Sequence, residues 1–413
     1  MKTKPTSSLL LTFILVFLTC TIMSCTRITP YQGKNSPFAE DLTTIVNTLE
    51  AKHPNPYSQI NRQEFRALAT SLGDTYSETD SATQYFAMRS LLSKLGDSHT
   101  NIGMSQKLQE NLEIFPVGFS RFDGHYYLGA IDKTNEAHLG EEIASINGYP
   151  MEKIETELSL LVSHDNEAWL YKSVVNLMNL PLALIFAGLA KQGEPLLLKT
   201  KEGTNLSVQA ILSKDLQKDS FATLKSQNVP LTYPDGKAYR YFSIDKNTLF
   251  VQYNSCTDDK DYPIKQFIAE VTNFLKTEKP ANVLFDLRFN GGGNSALLEP
   301  LIDTIATLQK KQTCNLYVLI AGGTFSSALM NAVQFKQRTD CTLVGTPTGG
   351  SVNHFGELKT KKLENSGNTL YYSTRHFVMD KKLKGSLQPD ILIEQTLADY
   401  ITGKDSVVAS LTH

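Results

Sequence analysis

The stretch Ala281-Asn-Val-Leu-Phe-Asp-Leu-Arg-Phe-Asn-Gly-Gly-Gly-Asn-Ser295, followed after a polar-capped helical pattern by Asn315-Leu-Tyr-Val-Leu-Ile-Ala-Gly-Gly-Thr-Phe-Ser-Ser-Ala-Leu-Met330, decides how this chain is read. Val283 to Leu287 and Leu316 to Ile320 are short apolar, β-branched runs, each closed by glycines and followed by a helical pattern. Buried parallel strands feeding crossover helices have this signature. Both strands are predicted to end at one edge of a sheet. Ligands bind at that edge in open α/β folds, because glycine turns expose backbone N–H groups and helix N-termini add partial positive charge.

Ser326 follows Gly322-Gly323-Thr324-Phe325 and opens an apolar helix containing Ala328, Leu329, Met330, Ala332, Val333 and Phe335. Its hydroxyl is predicted at the first helical turn, with the N–H of Ser327 free beside it. Acyl transfer needs this pairing of an attacking hydroxyl with unpaired donors aimed where the carbonyl oxygen becomes an anion. Gly291, Gly292 and Gly293 can bring a second donor close, since no Cβ blocks the approach. Taken singly, a serine at a helix start reads as an N-cap and a glycine triplet as a turn. The serine turn is not a G-x-S-x-G elbow, and neither turn ends in the G-K-[ST] of a phosphate loop.

Asp286-Leu-Arg-Phe-Asn-Gly-Gly-Gly293, then Thr324-Phe-Ser-Ser-Ala328, then Val344-Gly-Thr-Pro-Thr-Gly-Gly350 resemble, in order and spacing, the catalytic domain of the tail-specific (C-terminal processing) and tricorn-core serine peptidases. Leu95-Gly-Asp-Ser-His-Thr100 and Gln388-Pro-Asp-Ile391 resemble further landmarks of that family. The resemblance covers most of the chain after residue 40. It implies an α/β fold: a ClpP/crotonase-like ββα spiral catalytic domain with an N-terminal helical domain and a β-rich PDZ-like module. It also implies Ser326 as nucleophile, the N–H groups of Gly292 and Ser327 as oxyanion hole, and a polypeptide substrate, with no metal and no cofactor.

Net charge −2 over 413 residues, without a basic block, argues against nucleic acid as a partner. Residues 1–25 read as a targeting segment. Lys2 and Lys4 precede the apolar run Leu9 to Leu18, which is too short to span a bilayer of about 30 Å. The run ends in Ile22-Met-Ser-Cys25, which resembles a bacterial lipoprotein box. Cys25 is therefore expected to be lipidated after cleavage, making the protein an exported lipoprotein held to a membrane of the cell envelope, with residues 26–36 as tether. An ordinary cleaved signal or a short anchor helix is the plainer alternative. Cys256, Cys314 and Cys341 are odd in number and are expected as buried apolar fillers rather than a disulfide framework.

Residues 37–110 carry helical periodicity, as in Leu42, Ile45, Val46 and Leu49, broken by His53-Pro-Asn-Pro-Tyr57. A third helix stops at Gly96, a C-cap glycine, and delivers Asp97-Ser98-His99-Thr100. A loop histidine alone is usually structural. His99 becomes the candidate general base because a serine nucleophile needs a base titrating near the working pH. His354 is the rival, since the turn before it approaches the serine. His53 and His164 lie far from any motif. Residues 111–215 read as the β-rich module, with Leu139-Gly-Glu-Glu-Ile-Ala-Ser-Ile-Asn-Gly-Tyr-Pro150 resembling the start of a PDZ-like domain, a module that adds a peptide as an extra strand. Residues 216–413 are read as the catalytic domain, entered through a polar linker region at 213–245 that contains Pro230, Pro234 and Gly236, with a β-hairpin expected from residues 357–363 and 369–379.

Two departures from the family pattern matter. Its Ser–Lys branch has a lysine twenty-five residues after the nucleophile, where this chain has Ser351. Lys336 lies about 15 Å along a helix rising roughly 1.5 Å per residue, which excludes a dyad with Ser326. The tricorn-like branch uses a histidine preceded by serine, as in Ser98-His99, with Ser98 expected to fix the imidazole. That branch also has a glutamate just before its Pro-Asp pair, where this chain has Leu383, Lys384 and Gly385. Asp97, Glu357 and Asp390 are the remaining candidates for the acidic orienter. The sequence thus predicts a serine endopeptidase working through an acyl-enzyme on Ser326 with His99 as base. The alternative is a catalytically inactive peptide- or lipid-binding protein on the same fold. A crotonase-like acyl-CoA enzyme is disfavoured by export away from CoA.

Overall fold

The structure, a computed structural model, describes residues 29–225, 229–311 and 314–412. Residues 1–25, with the lipidation expected at Cys25, lie outside the described residues.

The catalytic half is built on a six-stranded sheet in the order Tyr239–Asp245, Thr248–Tyr253, Asn282–Asp286, Asn315–Ile320, Cys341–Gly345, Ile391–Leu392. The first pair is antiparallel and the rest are parallel. Apolar side chains alternate to both faces of these strands, so each face needs a cover. Leu249, Val251, Val283, Phe285, Val318 and Ile320 pack under the crossover helices Ile264–Thr277, Glu299–Gln309 and Ser327–Arg338. The first of these helices shows why: Ile264, Phe267, Val271 and Leu275 recur every three or four residues and form one buried stripe. On the opposite face, Phe250, Leu284, Leu319 and Val344 are closed over by Val407 and Val408 near the C-terminus. The mixed α/β class and the strand–turn–helix succession are those expected.

Residues 31–208 share one apolar core. The buried cluster runs without a break from Tyr31 through the helices Pro37–Lys52, Arg62–Tyr76 and Ser81–Leu92 into the β-rich residues as far as Val208. It also takes in Leu363, Leu370 and Tyr372 from the catalytic half. These three belong to the hairpin Asn353–Lys362 and Thr369–Val378, which pairs antiparallel as its alternation suggests. The short strand Asn101–Gly103 adds to this hairpin, Asn101 opposite Tyr371 and Gly103 opposite Thr369. That pairing carries the 97–100 loop, delivered by the third helix, to the hairpin of the catalytic half, in a three-stranded sheet separate from the six-stranded one.

The segment read as a linker is also built in. Thr232 is buried and its hydroxyl donates to Asp405 at 2.7 Å. Asp405 in turn receives Arg288, whose guanidinium reaches both Asp286 and Asp405 at 2.8–2.9 Å. This fully buried triad ties the C-terminal segment to the strand end from which the glycine turn departs.

Candidate active site

Asn290 knits the two turns together. Its carbonyl accepts from the Phe325 N–H at 3.0 Å, its Nδ2 donates to Tyr253 O at 2.8 Å, and its Oδ1 accepts from the Gly292 N–H at 2.9 Å. Thr324 adds a second stitch, its hydroxyl donating to Leu287 O at 2.9 Å. The glycines permit the close approach: a Cβ on Gly323 would sit 2.2 Å from Arg288 O, and one on Gly293 2.3 Å from Cys256 O. Cys256 is buried beside this turn with its Sγ within 3.5 Å of Asn290 Oδ1 and 3.6 Å of Asn331 Oδ1, either of which can accept its one S–H, so it is a polar partner of the turn as well as a filler.

Ser326 sits where the serine turn meets the helix, at φ 51° and ψ −121°. Positive φ in a residue with a Cβ costs of order 1–3 kcal/mol and persists only where surrounding contacts impose it. Here the residue lines the cavity beside the glycine turn. The hydroxyl does not cap that helix, unlike an ordinary N-cap serine. Ser327 anchors the other side, its Oγ donating to Gly293 O at 2.6 Å. The position of the donors differs from expectation in one respect. The Gly292 N–H is already spent on Asn290 Oδ1, because the aspartate-like turn at Asn290 folds back on it. The N–H groups of Ser327 and Gly293 donate no hydrogen bond among the described residues, and both residues line the cavity beside Ser326.

That cavity, of about 530 Å³, is lined by His99, Gly291, Gly293, Ser326, Ser327, His354 and Glu357, with Phe325, Met330, Leu358 and Phe377 as apolar walls. His99, more than two hundred residues before the serine, thus faces the same space. Its imidazole lies within a pile of five rings: Trp169 on Phe325 (4.0 Å between centroids), Phe325 on His99 (4.5 Å), His99 on His354 (5.5 Å) and His354 on Phe377 (5.4 Å). Both His99 ring nitrogens are buried and make no hydrogen bond, and none joins His99 to Ser326. Burial pushes the His99 pKa down to about 4, against the pull of the Asp97 carboxylate and with a small push from His354. His354 is fixed differently, its Nδ1–H donating to Ser351 O at 2.8 Å.

Of the candidate orienters, Asp97 is in place. Its Oδ1 accepts from the His99 backbone N–H at 2.9 Å and lies 3.9 Å from His99 Nδ1. Glu357 reaches the cavity from a strained position at φ 57°, and its half-exposed side chain faces Arg375 at 3.6 Å. Asp390 is elsewhere: it holds Lys336 at 2.6 Å and the Leu343 N–H at 2.8 Å, clipping helix to sheet. Ser98 corrects its expected role. Its hydroxyl turns from the imidazole and donates to Asp165 Oδ1 at 2.6 Å, because a carboxylate buried there needs a donor.

Asp165 itself went unnoticed in the sequence. Burial, resisted by the Ser98 bond and assisted by the charge of Asp97, pushes its pKa up to about 6. Its neighbour Asn166 binds Gly349 O at 2.8 Å and Ser351 Oγ at 3.0 Å, and caps the helix that carries Trp169. Asp-Asn-Glu before a helix is a readable capping signal. Nothing in it points to a partner at Ser98.

No family model matches this chain, and no curated protein matches it in sequence. Solved structures do. Mature CPAF matches with a TM-score of 0.63 at 13% identity, covering 89% of this chain and 94% of that one. Mature CPAF complexed with lactacystin matches with a TM-score of 0.64 at 13% identity, covering 89% and 95%. A weaker likeness, with a TM-score of 0.40 at 13% identity over 89% and 98%, is to a photosystem II D1 C-terminal processing protease. Along nearly its whole length, this chain has the fold of CPAF.

Proposed function

We propose that the chain is a serine endopeptidase of the tail-specific and tricorn-core kind, in the branch that uses histidine. The observation that carries this reading is Ser326, held at positive φ at the head of a helix, beside unpaired amides and in one cavity with His99. A polypeptide enters beside the β-rich module. His99 Nε2 takes the Ser326 proton as Oγ attacks the scissile carbonyl, and the oxyanion is held by the N–H groups of Ser327 and Gly293. His99 passes that proton to the leaving amine, and water deprotonated by His99 then releases the acyl group. Asp97 is the carboxylate that orients His99. Hydrogen bonds of a catalytic pair are often open before substrate is seated and tighten in the complex. We also hold to the reading of residues 1–25 as a lipoprotein signal, with Cys25 attaching the protein to the cell envelope; loss of fatty-acid labelling in Cys25→Ala tests this.

A fluorophosphonate probe tests the nucleophile. Wild type is expected to be labelled on Ser326 and Ser326→Ala to remain unlabelled; equal labelling of the two would refute the assignment. The open His99–Ser326 pair favours a second reading, a peptide-binding protein without hydrolysis. It predicts no labelling of wild type and no effect of His99→Ala on peptide binding.

A further inference from the structure

His53, distant from every motif, closes the first helix at the Pro54-Asn55-Pro56 break with its side chain wholly buried. The backbone N–H of Asn55 donates to its Nδ1 at 3.2 Å, so that nitrogen carries the lone pair and the ring proton sits on Nε2. Nε2 lies 3.0 Å from Asp97 Oδ2 and donates to it. Phe355, next in sequence to His354, packs against the ring at 4.7 Å between centroids. Asp97 Oδ2 also receives the hydroxyls of Thr100 at 2.5 Å and Ser373 at 2.7 Å. Oδ2 therefore has three donors, while Oδ1 faces His99.

The three donors are not equivalent. A hydroxyl can rotate and accept from a protonated carboxyl, so Thr100 and Ser373 tolerate Asp97 in either state. The His53 Nε2–H can only donate, since the other ring nitrogen is occupied by Asn55. We infer that His53 is a positioning residue for the proposed reaction: it holds Asp97 as a carboxylate in one rotamer, with Oδ1 aimed at Nδ1 of His99. The inference rests on the serine peptidase reading and deepens it, supplying the anchor for the carboxylate that stands in for the missing glutamate. When the Ser326 proton moves to His99 Nε2, the imidazolium keeps its Nδ1 proton directed at Oδ1, and Asp97 and His53 exchange none. Consistent with this, the Asp97 pKa is lowered although burial alone would raise it; the His53 bond, the charge of His99 and the two hydroxyls outweigh desolvation.

The test is the second-order rate of fluorophosphonate labelling of the full chain, read by intact mass at neutral pH. His53→Gln retains an amide N–H able to reach Asp97, whereas His53→Leu does not. The Leu variant is expected to label on the order of tenfold more slowly and the Gln variant to recover most of the wild-type rate. If the Leu variant does not fold, His53→Asn, whose shorter amide stops short of Asp97, takes its place. A Leu or Asn variant labelling as fast as wild type overturns the inference, as does an equal loss in the Gln variant, which would make the role one of packing. Wild type labelling no faster than Ser326→Ala is a different failure: it removes the peptidase reading, and the positioning role with it. The Nε2–H tautomer of His53, read from ring-nitrogen shifts, needs no activity; an Nδ1–H tautomer also overturns the inference.

Discussion

Gly292 approaches Ser326 so closely that a Cβ on the glycine would lie 2.8 Å from the serine Cβ and 3.1 Å from the Ser327 nitrogen. Gly292 also has φ 113°, a region that side chains rarely adopt. Gly292→Ala is therefore expected to push Ser326 off the amides of Ser327 and Gly293. Labelling should slow on the order of a hundredfold, the cost of losing one oxyanion donor, while far-ultraviolet circular dichroism is retained. Labelling within threefold of wild type would show that the contact is slack.

The depressed pKa of His99 sets the acid limb of activity. A base must be neutral, and with a pKa near 4 the imidazole is neutral at any pH well above that value. The labelling rate is expected to hold flat from about pH 7 down to pH 5 and to halve near pH 4. The charged and titratable groups that set this value are Asp97 and His354, with burial dominant. A midpoint near 6.5, the ordinary histidine value, would mean that water reaches the ring.

Asp165 contributes to stability with the opposite sign. Its carboxyl is raised to about 6 from the ordinary aspartate value of 3.8, so the folded state binds the proton more tightly than the unfolded chain does. Its contribution is complete below about pH 3.8 and lost as pH rises through about 6. His99, depressed to about 4, loses its contribution as pH falls through the same window, so the two partly cancel in wild type. Asp165→Asn keeps an oxygen for the Ser98 hydroxyl and leaves His99 alone. Its stability relative to wild type should improve between pH 4 and pH 7 by about 3 kcal/mol, from roughly 1.4 kcal/mol per pKa unit. Chemical denaturation at the two pH values measures the difference; a constant gap would place Asp165 in a wetter setting.

Asp405 is the buried counter-charge that joins the C-terminal segment to the glycine turn. Removing it leaves the Arg288 guanidinium with Asp286 alone, in a site where Arg288 is almost wholly inaccessible. Asp405→Ala is expected to cost about 3–5 kcal/mol, the usual penalty for breaking a buried pair from one side. Urea denaturation of the catalytic half reads the loss, and a cost below 1 kcal/mol would mean that water replaces the carboxylate.

Local pattern exposed the catalytic sheet well. The runs at 283–287 and 316–320 and the alternating runs at 357–363 and 369–379 each follow a period set by backbone geometry, and each became the element it suggested. The glycine triplet and the Thr-Phe-Ser-Ser turn were readable for the same reason: positive φ and close approach restrict which residues can stand there. The linker reading of 213–245 missed Thr232, because a polar side chain that finds a buried carboxylate looks the same in sequence as one facing water.

What the chain's letters determined alone was a strand–turn–helix order that brings Gly292, Gly293, Ser326 and Ser327 to one sheet edge. Tertiary structure alone decided which groups surround the imidazole: His53 reaches Asp97 across 44 residues, Ser98 reaches Asp165 across 67, and Ser373 reaches Asp97 across 276. Periodicity reports which face of an element avoids water. The pairing of buried charges is chosen instead by the electrostatic cost of leaving a carboxylate without donors, and that cost is set only when distant elements meet.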